Sequence, residues 1–320
     1  PVEEVAYGDE GPHVVIATAL HQCLPVSRRR VLAFADGRQR AAFFAWYLEK
    51  TYQDILERQL LLEAVRRQAS AAMSEGLSMS DLAAELLPLL QVHRILPESD
   101  SALDRRRQSW RMIYREFLAE GDRISLEGVG LIRWHLRFPD WLVLPEELLQ
   151  EPWRFSTEEI YQLLWVLLDT VRKEAAVALV GDASTITLDW QTLGLRTRPL
   201  LVRMGPPRGR SQMRDWAGTK GRRVQLLQRI LRERGVADAD LDQAARYILG
   251  LIWQALDDTD RQARSQEDRL LLPADGGKQL NPRWWRLQLV NPADQVYRCE
   301  SCGRLYPFPV IAGCCPAPRC

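Results

Sequence analysis

The sequence predicts a mixed α/β, helix-dominated chain made of several domains. Three observations lead there. An apolar run from Val31 to Ala35 breaks at Asp36-Gly37 and gives way to a helix-periodic stretch reaching about residue 66. Strand, tight turn and helix form the repeating unit of doubly wound α/β domains. The long middle stretch, 67–292, carries apolar residues mostly at helical spacing. Five of the six cysteines fall in the last 22 residues, which suits a small metal-braced module better than a disulfide scaffold, whose cysteines would be spread along the chain.

Taken in order, Val14 to Leu20, interrupted by Thr18, reads as a short buried strand or a helix start. Ala41, Phe44, Leu48, Ile55 and Leu62 form the stripe of the first long helix. Leu82, Leu86 and Leu89-Leu90 give a second stripe, interrupted by Pro88. Arg105-Arg106-Arg107 opens a helix containing Trp110, Ile113 and Phe117, and Gly121-Asp122 ends it. Residues 124–190 read as a small compact unit. In it, Ile124 to Leu136 mixes β-branched and aromatic residues, and Ser156-Thr157-Glu158-Glu159 is a capping box, in which serine and glutamate reciprocally satisfy free backbone amides. The helix after it buries Ile160, Leu163, Leu164, Leu167 and Val171. Val177 to Val180 and Thr185 to Leu188 flank Gly181-Asp182 as a hairpin signal. Helices followed by a short hairpin are compatible with a winged helix-turn-helix. Residues 203–223 read as a loop rich in Gly, Pro and Arg. Val224, Leu227 and Leu231 line one further helix, and Leu241, Ala245, Ile248, Ile252 and Leu256 line another. Residues 257–268 are strongly charged and read as solvated, and Leu270-Leu271-Leu272 and Leu287 to Val290 as short strands.

A length of 320 residues fits two or three domains. Hydrophobic residues at 46% and charged residues at 27% are ordinary for a soluble globular chain. A net charge of +1 implies no partner by itself, so any nucleic-acid surface must come from local clustering. No apolar run approaches the roughly 18 residues a membrane helix needs, so no membrane partner is expected. The acidic, polar start from Pro1 to Glu10 is no signal peptide. Pro1 and Cys320 read as cut points within a longer protein. The clustered thiols suit a reducing cytoplasm.

The sharpest chemical signal is Cys299-Glu300-Ser301-Cys302, then twelve residues, then Cys315-Pro316 to Cys320. A Cys-x-x-Cys pair offers two thiolates to one ion from a single tight turn, and a second close pair completes a tetrahedron. Cys299, Cys302, Cys315 and Cys320 are therefore expected to hold a structural zinc in a closed four-sulfur shell, with no open position for catalysis. Cys314 could replace Cys315 as ligand, although Cys315-Pro316 begins a second knuckle more naturally. Cys23 stands apart and reads as a small buried hydrophobe.

The strand–turn–helix unit carries a resemblance. With Phe34, Asp36, Gly37, Arg38, Gln39, Ala41 and Ala42, it resembles the start of the second RecA-like domain of superfamily 2 DEAD/DEAH-box helicases. The closest resemblance is to the group with a C-terminal four-cysteine module. Ala35 stands where serine is usual and Arg40 where aspartate is usual. The tail from Tyr297 to Cys320, with Gly313 and Cys315-Pro316, is similar to that group's cysteine module. The resemblance implies a segment of an ATP-dependent DNA helicase or translocase with a role in repair or defence. Residues 1–66 would start the second RecA-like domain, 67–292 would be a helical insertion with a winged-helix unit at about 124–190, and 293–320 would be the zinc module. Asp36, Arg38 and Gln39 would sit near the nucleic-acid groove or the inter-domain face. DNA and the remainder of the helicase chain would be the partners. The sequence holds no Gly-x-x-x-x-Gly-Lys-Ser/Thr loop, no acidic box and no arginine-finger motif. ATP and magnesium therefore belong to the full-length protein, and this segment should be inactive alone.

The third signal is a basic tract. Arg203, Arg208, Arg210, Arg214, Lys220, Arg222, Arg223, Arg229, Arg232 and Arg234 face only Asp215 and Glu233 as acids. Flexible glycines and arginines suit phosphate contacts, and Trp216 could stack on a base. The alternative is a solvated basic loop paired with Asp257, Asp258 and Asp260. His13, His21, His93 and His135 are dispersed and form no metal-spaced set. The rival to the helicase reading is a non-enzymatic zinc-containing adaptor that binds protein partners through its helices.

Overall fold

The computed structural model describes residues 38–93, 101–118, 125–180, 189–191, 200–206 and 212–291, with isolated residues on either side. In the first long helix, side chains are described from residue 53 onward. The strand expected at 31–35, the hairpin tip at 181–188, and Asp36, Arg208, Arg210, Cys302 and Cys320 lie outside the described residues.

The chain divides into two compact units, Pro1–Glu63 and Ala64–Cys320. Helix α1 (Arg38–Arg67) begins in the first and ends in the second. It covers the stretch that the periodic stripe predicts. Its most buried face, however, is Leu60, Leu61, Ala64 and Val65, while Ile55 and Leu62 are half-buried.

The second unit is helix-rich with small sheets. It opens with α2 (Ala69–Met73), α3 (Met79–Val92) and α4 (Ala102–Phe117). It continues with β1 (Ile132–Leu136), α5 (Thr157–Lys173), β2 (Leu201–Arg203), β3 (Met213–Asp215), α6 (Arg222–Glu233) and α7 (Leu241–Gln262). It closes with β4 (Leu271–Ala274), β5 (Gly277–Leu280), β6 (Trp285–Leu289), β7 (Tyr297–Arg298) and β8 (Leu305–Tyr306).

Helices α3, α4 and α5 start the same way. Ser78, Ser101 and Ser156 each accept from the amide three residues on, where Asp81, Asp104 and Glu159 reach back to the serine amide. Each box satisfies two amides that a helix start leaves orphaned. Helix α3 runs through Pro88 instead of stopping there. Pro88 denies a donor to the Ala84 carbonyl, but both residues lie on the exposed face, where water can replace the lost bond.

Strand β1 alternates, burying Ile132, Trp134 and Leu136. It pairs antiparallel with β6, from Ile132↔Leu289 to Leu136↔Trp285. Both β1 and Val177 thus pair outside the 124–190 stretch, Val177 bridging Leu280. Gly76 holds the α2–α3 turn against β6. It has φ +80°, and a Cβ there would lie 2.8 Å from Cβ of Arg286. Only glycine suits both the left-handed backbone and the close approach.

A four-stranded sheet has the order β3-β2-β5-β4. Hairpin β4–β5 turns at Asp275 and Gly276, both with positive φ, the geometry that an Asp-Gly turn favours. Strands β2 and β3 pair in parallel, with Leu201, Val202 and Met213 buried. The region expected to be a loop thus contributes sheet, because these apolar side chains have a core to enter.

The segment expected to be solvated, 257–268, is partly interior. Asp260 is 5% exposed and accepts from the amides of Leu270 (2.6 Å) and Leu271 (3.3 Å). Burial pushes its carboxyl above the usual range. Asp257 and Asp260 both pair with Lys278, and Asp258 pairs with Arg261.

The core centres on a buried cation. Arg172 is fully buried; its Nε donates to Asp169 (2.7 Å), and its two Nη atoms donate to the Phe117 carbonyl (2.5 Å) and to Glu127 (2.6 Å). Its guanidinium lies 5.4 Å from the ring centres of Phe117 and Trp285.

Candidate nucleic-acid interface and cysteine hairpin

The basic tract separates into two populations. Trp216 and Arg223 are interior, at 1% and 3% exposure. The Trp216 indole donates to the Leu249 carbonyl (2.9 Å) and its ring lies 5.4 Å from that of Trp253. Arg223 Nε donates to the Trp216 carbonyl (3.0 Å), and Nη1 donates to Thr170 Oγ1 (2.9 Å) and Glu174 Oε2 (3.1 Å). Neither side chain presents a face to a base or a phosphate, which corrects the expected role of both. The cause is packing: helices α6 and α7 and strand β3 enclose Trp216, and the arginine follows to stack on it at 5.0 Å.

Arg232 and Arg234 are engaged as well. Arg232 pairs with Asp238 at 3.0 Å. Arg234 pairs with Glu159, lies 4.1 Å from the Phe155 ring centre, and donates to the Trp153 carbonyl. Burial alone would raise the Glu159 carboxyl; its bonds to Ser156 and Arg234 hold it below its ordinary value.

Arg214, Lys220 and Arg222 are exposed. They lie on β3, on the short connection into α6 and at the first position of α6. Gly221 caps α6 with no side-chain hydrogen bond, and the first turn holds no acid. Cations at a helix N-terminus oppose its partial positive charge, so this end is electrostatically arranged for an anion. Asp215 Oδ1 accepts from the amides of Gly205 (3.1 Å) and Ala217 (3.0 Å). Asp257, Asp258 and Asp260 serve Lys278 and Arg261.

Strands β7 and β8 pair antiparallel, Tyr297↔Tyr306 and Arg298↔Leu305. Cys299 directly follows β7; Cys302 lies outside the described residues. Cys315 is buried and Cys314 half-buried. Burial and the Glu233 carboxylate push the Cys314 thiol up, which Arg229 partly offsets. Among the described residues no three potential metal ligands converge; Cys302 and Cys320 are outside them. Sulfur donors are the kind that zinc prefers.

Comparison with protein-family models, curated proteins and solved structures finds no match to the chain. Arg38 and Gln39 both belong to helix α1. Among the described residues, no helix is long and apolar enough to cross a membrane.

Proposed function

We propose that the chain is a segment of an ATP-dependent DNA helicase or translocase, contributing phosphate contacts and a structural zinc site. The observation that carries the DNA contact is the exposed set Arg214, Lys220 and Arg222 around an α6 N-terminus that has no acid in its first turn. Such contacts read the backbone and not the sequence. The helicase assignment is supported by the resemblance of residues 34–42 and of the cysteine tail. Arg38 and Gln39 fall in the first turn of α1, where the resemblance assigns them to the nucleic-acid groove or the inter-domain face. Cys299, Cys302, Cys315 and Cys320 would hold the zinc, which braces the β7–β8 hairpin. ATP and magnesium would be bound by the rest of the full-length protein, which works in the cytoplasm.

Lys220→Ala with Arg222→Ala is expected to weaken binding to a labelled oligonucleotide about tenfold and to reduce its log–log salt slope by roughly two. Titration at several salt concentrations checks this. Unchanged affinity removes the surface, and affinity independent of salt in the wild-type chain favours the adaptor reading. Separately, metal analysis is expected to find one zinc per chain, lost in Cys299→Ser with Cys302→Ser. A metal-free chain with an intact hairpin would end the zinc claim.

A further inference from the structure

We propose that Arg223 is a positioning residue for this DNA surface: a buried clamp that fixes the β3–α6 connection and so presents Lys220 and Arg222, touching no phosphate itself. The inference rests on the reading of the surface given above. The Arg223 guanidinium joins separate parts of the chain. It donates to the Trp216 carbonyl (3.0 Å) and the Asp215 carbonyl (3.4 Å) at the end of β3. It also donates to Thr170 (2.9 Å) and Glu174 (3.1 Å) at the end of α5. All three of its nitrogens thus have protein acceptors, and at 3% exposure none is left for a phosphate oxygen.

Beneath the guanidinium runs a chain of ring contacts. The Trp216 ring lies 5.0 Å from it, Trp253 packs on Trp216 at 5.4 Å, and Lys278 lies 5.3 Å from the Trp253 ring. Cation, ring, ring and cation thereby link the first turn of α6, helix α7 and strand β5. At the near end Asp215 grips the amides of Gly205 and Ala217, and the Gly221 amide donates to the Gly218 carbonyl at 2.7 Å. The connection from 216 to 221 is therefore held at both ends. Successive residues on a helix project about 100° apart. With Arg223 turned inward, Arg222 is exposed, as is Lys220. Lysine could not replace the clamp, because a single ammonium cannot span acceptors that a planar fork reaches together.

The test turns on a sign. Glu174→Gln removes a negative charge near the surface, so Coulomb's law alone makes DNA bind more tightly. The clamp predicts the opposite: binding of a labelled single-stranded oligonucleotide by the full chain weakens about fivefold, as expected when a charge-assisted bond that holds the connection is reduced to a neutral one. Arg223→Lys, which keeps the charge, is expected to weaken binding similarly. Melting curves establish that each variant is folded at the assay temperature. If Glu174→Gln is not folded, Thr170→Val removes another acceptor of the clamp without changing charge. Folded variants that bind as well as or better than wild type overturn the clamp and leave the surface standing. A wild-type chain without salt-dependent binding overturns both.

Discussion

Arg172→Met is expected to destabilise the 64–320 unit by roughly 3–5 kcal/mol, the cost of stranding the partners of a buried ion pair. Methionine keeps an apolar stem against Phe117 and Trp285 but leaves Glu127, Asp169 and the Phe117 carbonyl without their donor. The pH dependence carries the same signature. Burial alone would raise the Asp169 carboxyl, and the charges of Arg172 and Lys173 override it and hold the group below its ordinary value. A depressed folded pKa gives stability that is present above the unfolded pKa and lost as pH falls through the folded one. In the variant the Arg172 part of that contribution is gone and only Lys173 still opposes burial, so Asp169 should rise from its wild-type value. The stability gap between the two proteins should therefore be full near neutral pH and close on acidification below the ordinary carboxylate value of 3.8. Urea titrations across that range measure it. Equal midpoints near neutral pH would contradict the account of the core.

Trp285→Ala is expected to cost a similar amount, roughly 3–5 kcal/mol, as a buried aromatic replaced by a methyl group. Trp285 is fully buried at the start of β6. Its ring meets Phe117 edge-on at 5.7 Å and Trp165 at 6.3 Å, with the Arg172 cation 5.4 Å away. Because Arg172 and Trp285 share this contact, the double variant should not show the sum of the single losses. A coupling of roughly 0.5–3 kcal/mol is expected from a double-mutant cycle in urea. Additive losses would mean that the cation and the ring stabilise the unit independently.

The helices were legible because helical information is local. The Ser156 box and the stripes of 160–171, 224–231 and 241–256 mark buried faces that the structure reproduces. The boxes at Ser78 and Ser101 were equally readable, with aspartate in the third position in place of glutamate. Asp275-Gly276 carried a clear hairpin signal between two short apolar runs. The strand partners were not readable, since nothing near Trp134 points to Leu287. Trp216 and Arg223 illustrate the limit for the candidate site. Composition marks both as surface, and only the meeting of α5, α6 and α7 turns them inward. Cys302, Cys320 and Asp36 fall outside the described residues, so their geometry adds nothing to the sequence argument.

The pairing of β1 with β6 also governs how the polypeptide must mature. Ile132 finds Leu289, and Leu77 finds Leu287, only after nearly the whole of this region has left the ribosome. Until then β1 is an open edge with apolar residues on one face, a template for association with other nascent chains. Closing so long a loop makes folding slow relative to a bundle with neighbouring contacts. Shortened versions that stop before Trp285 would keep that edge permanently, and aggregation of such pieces is the expected result.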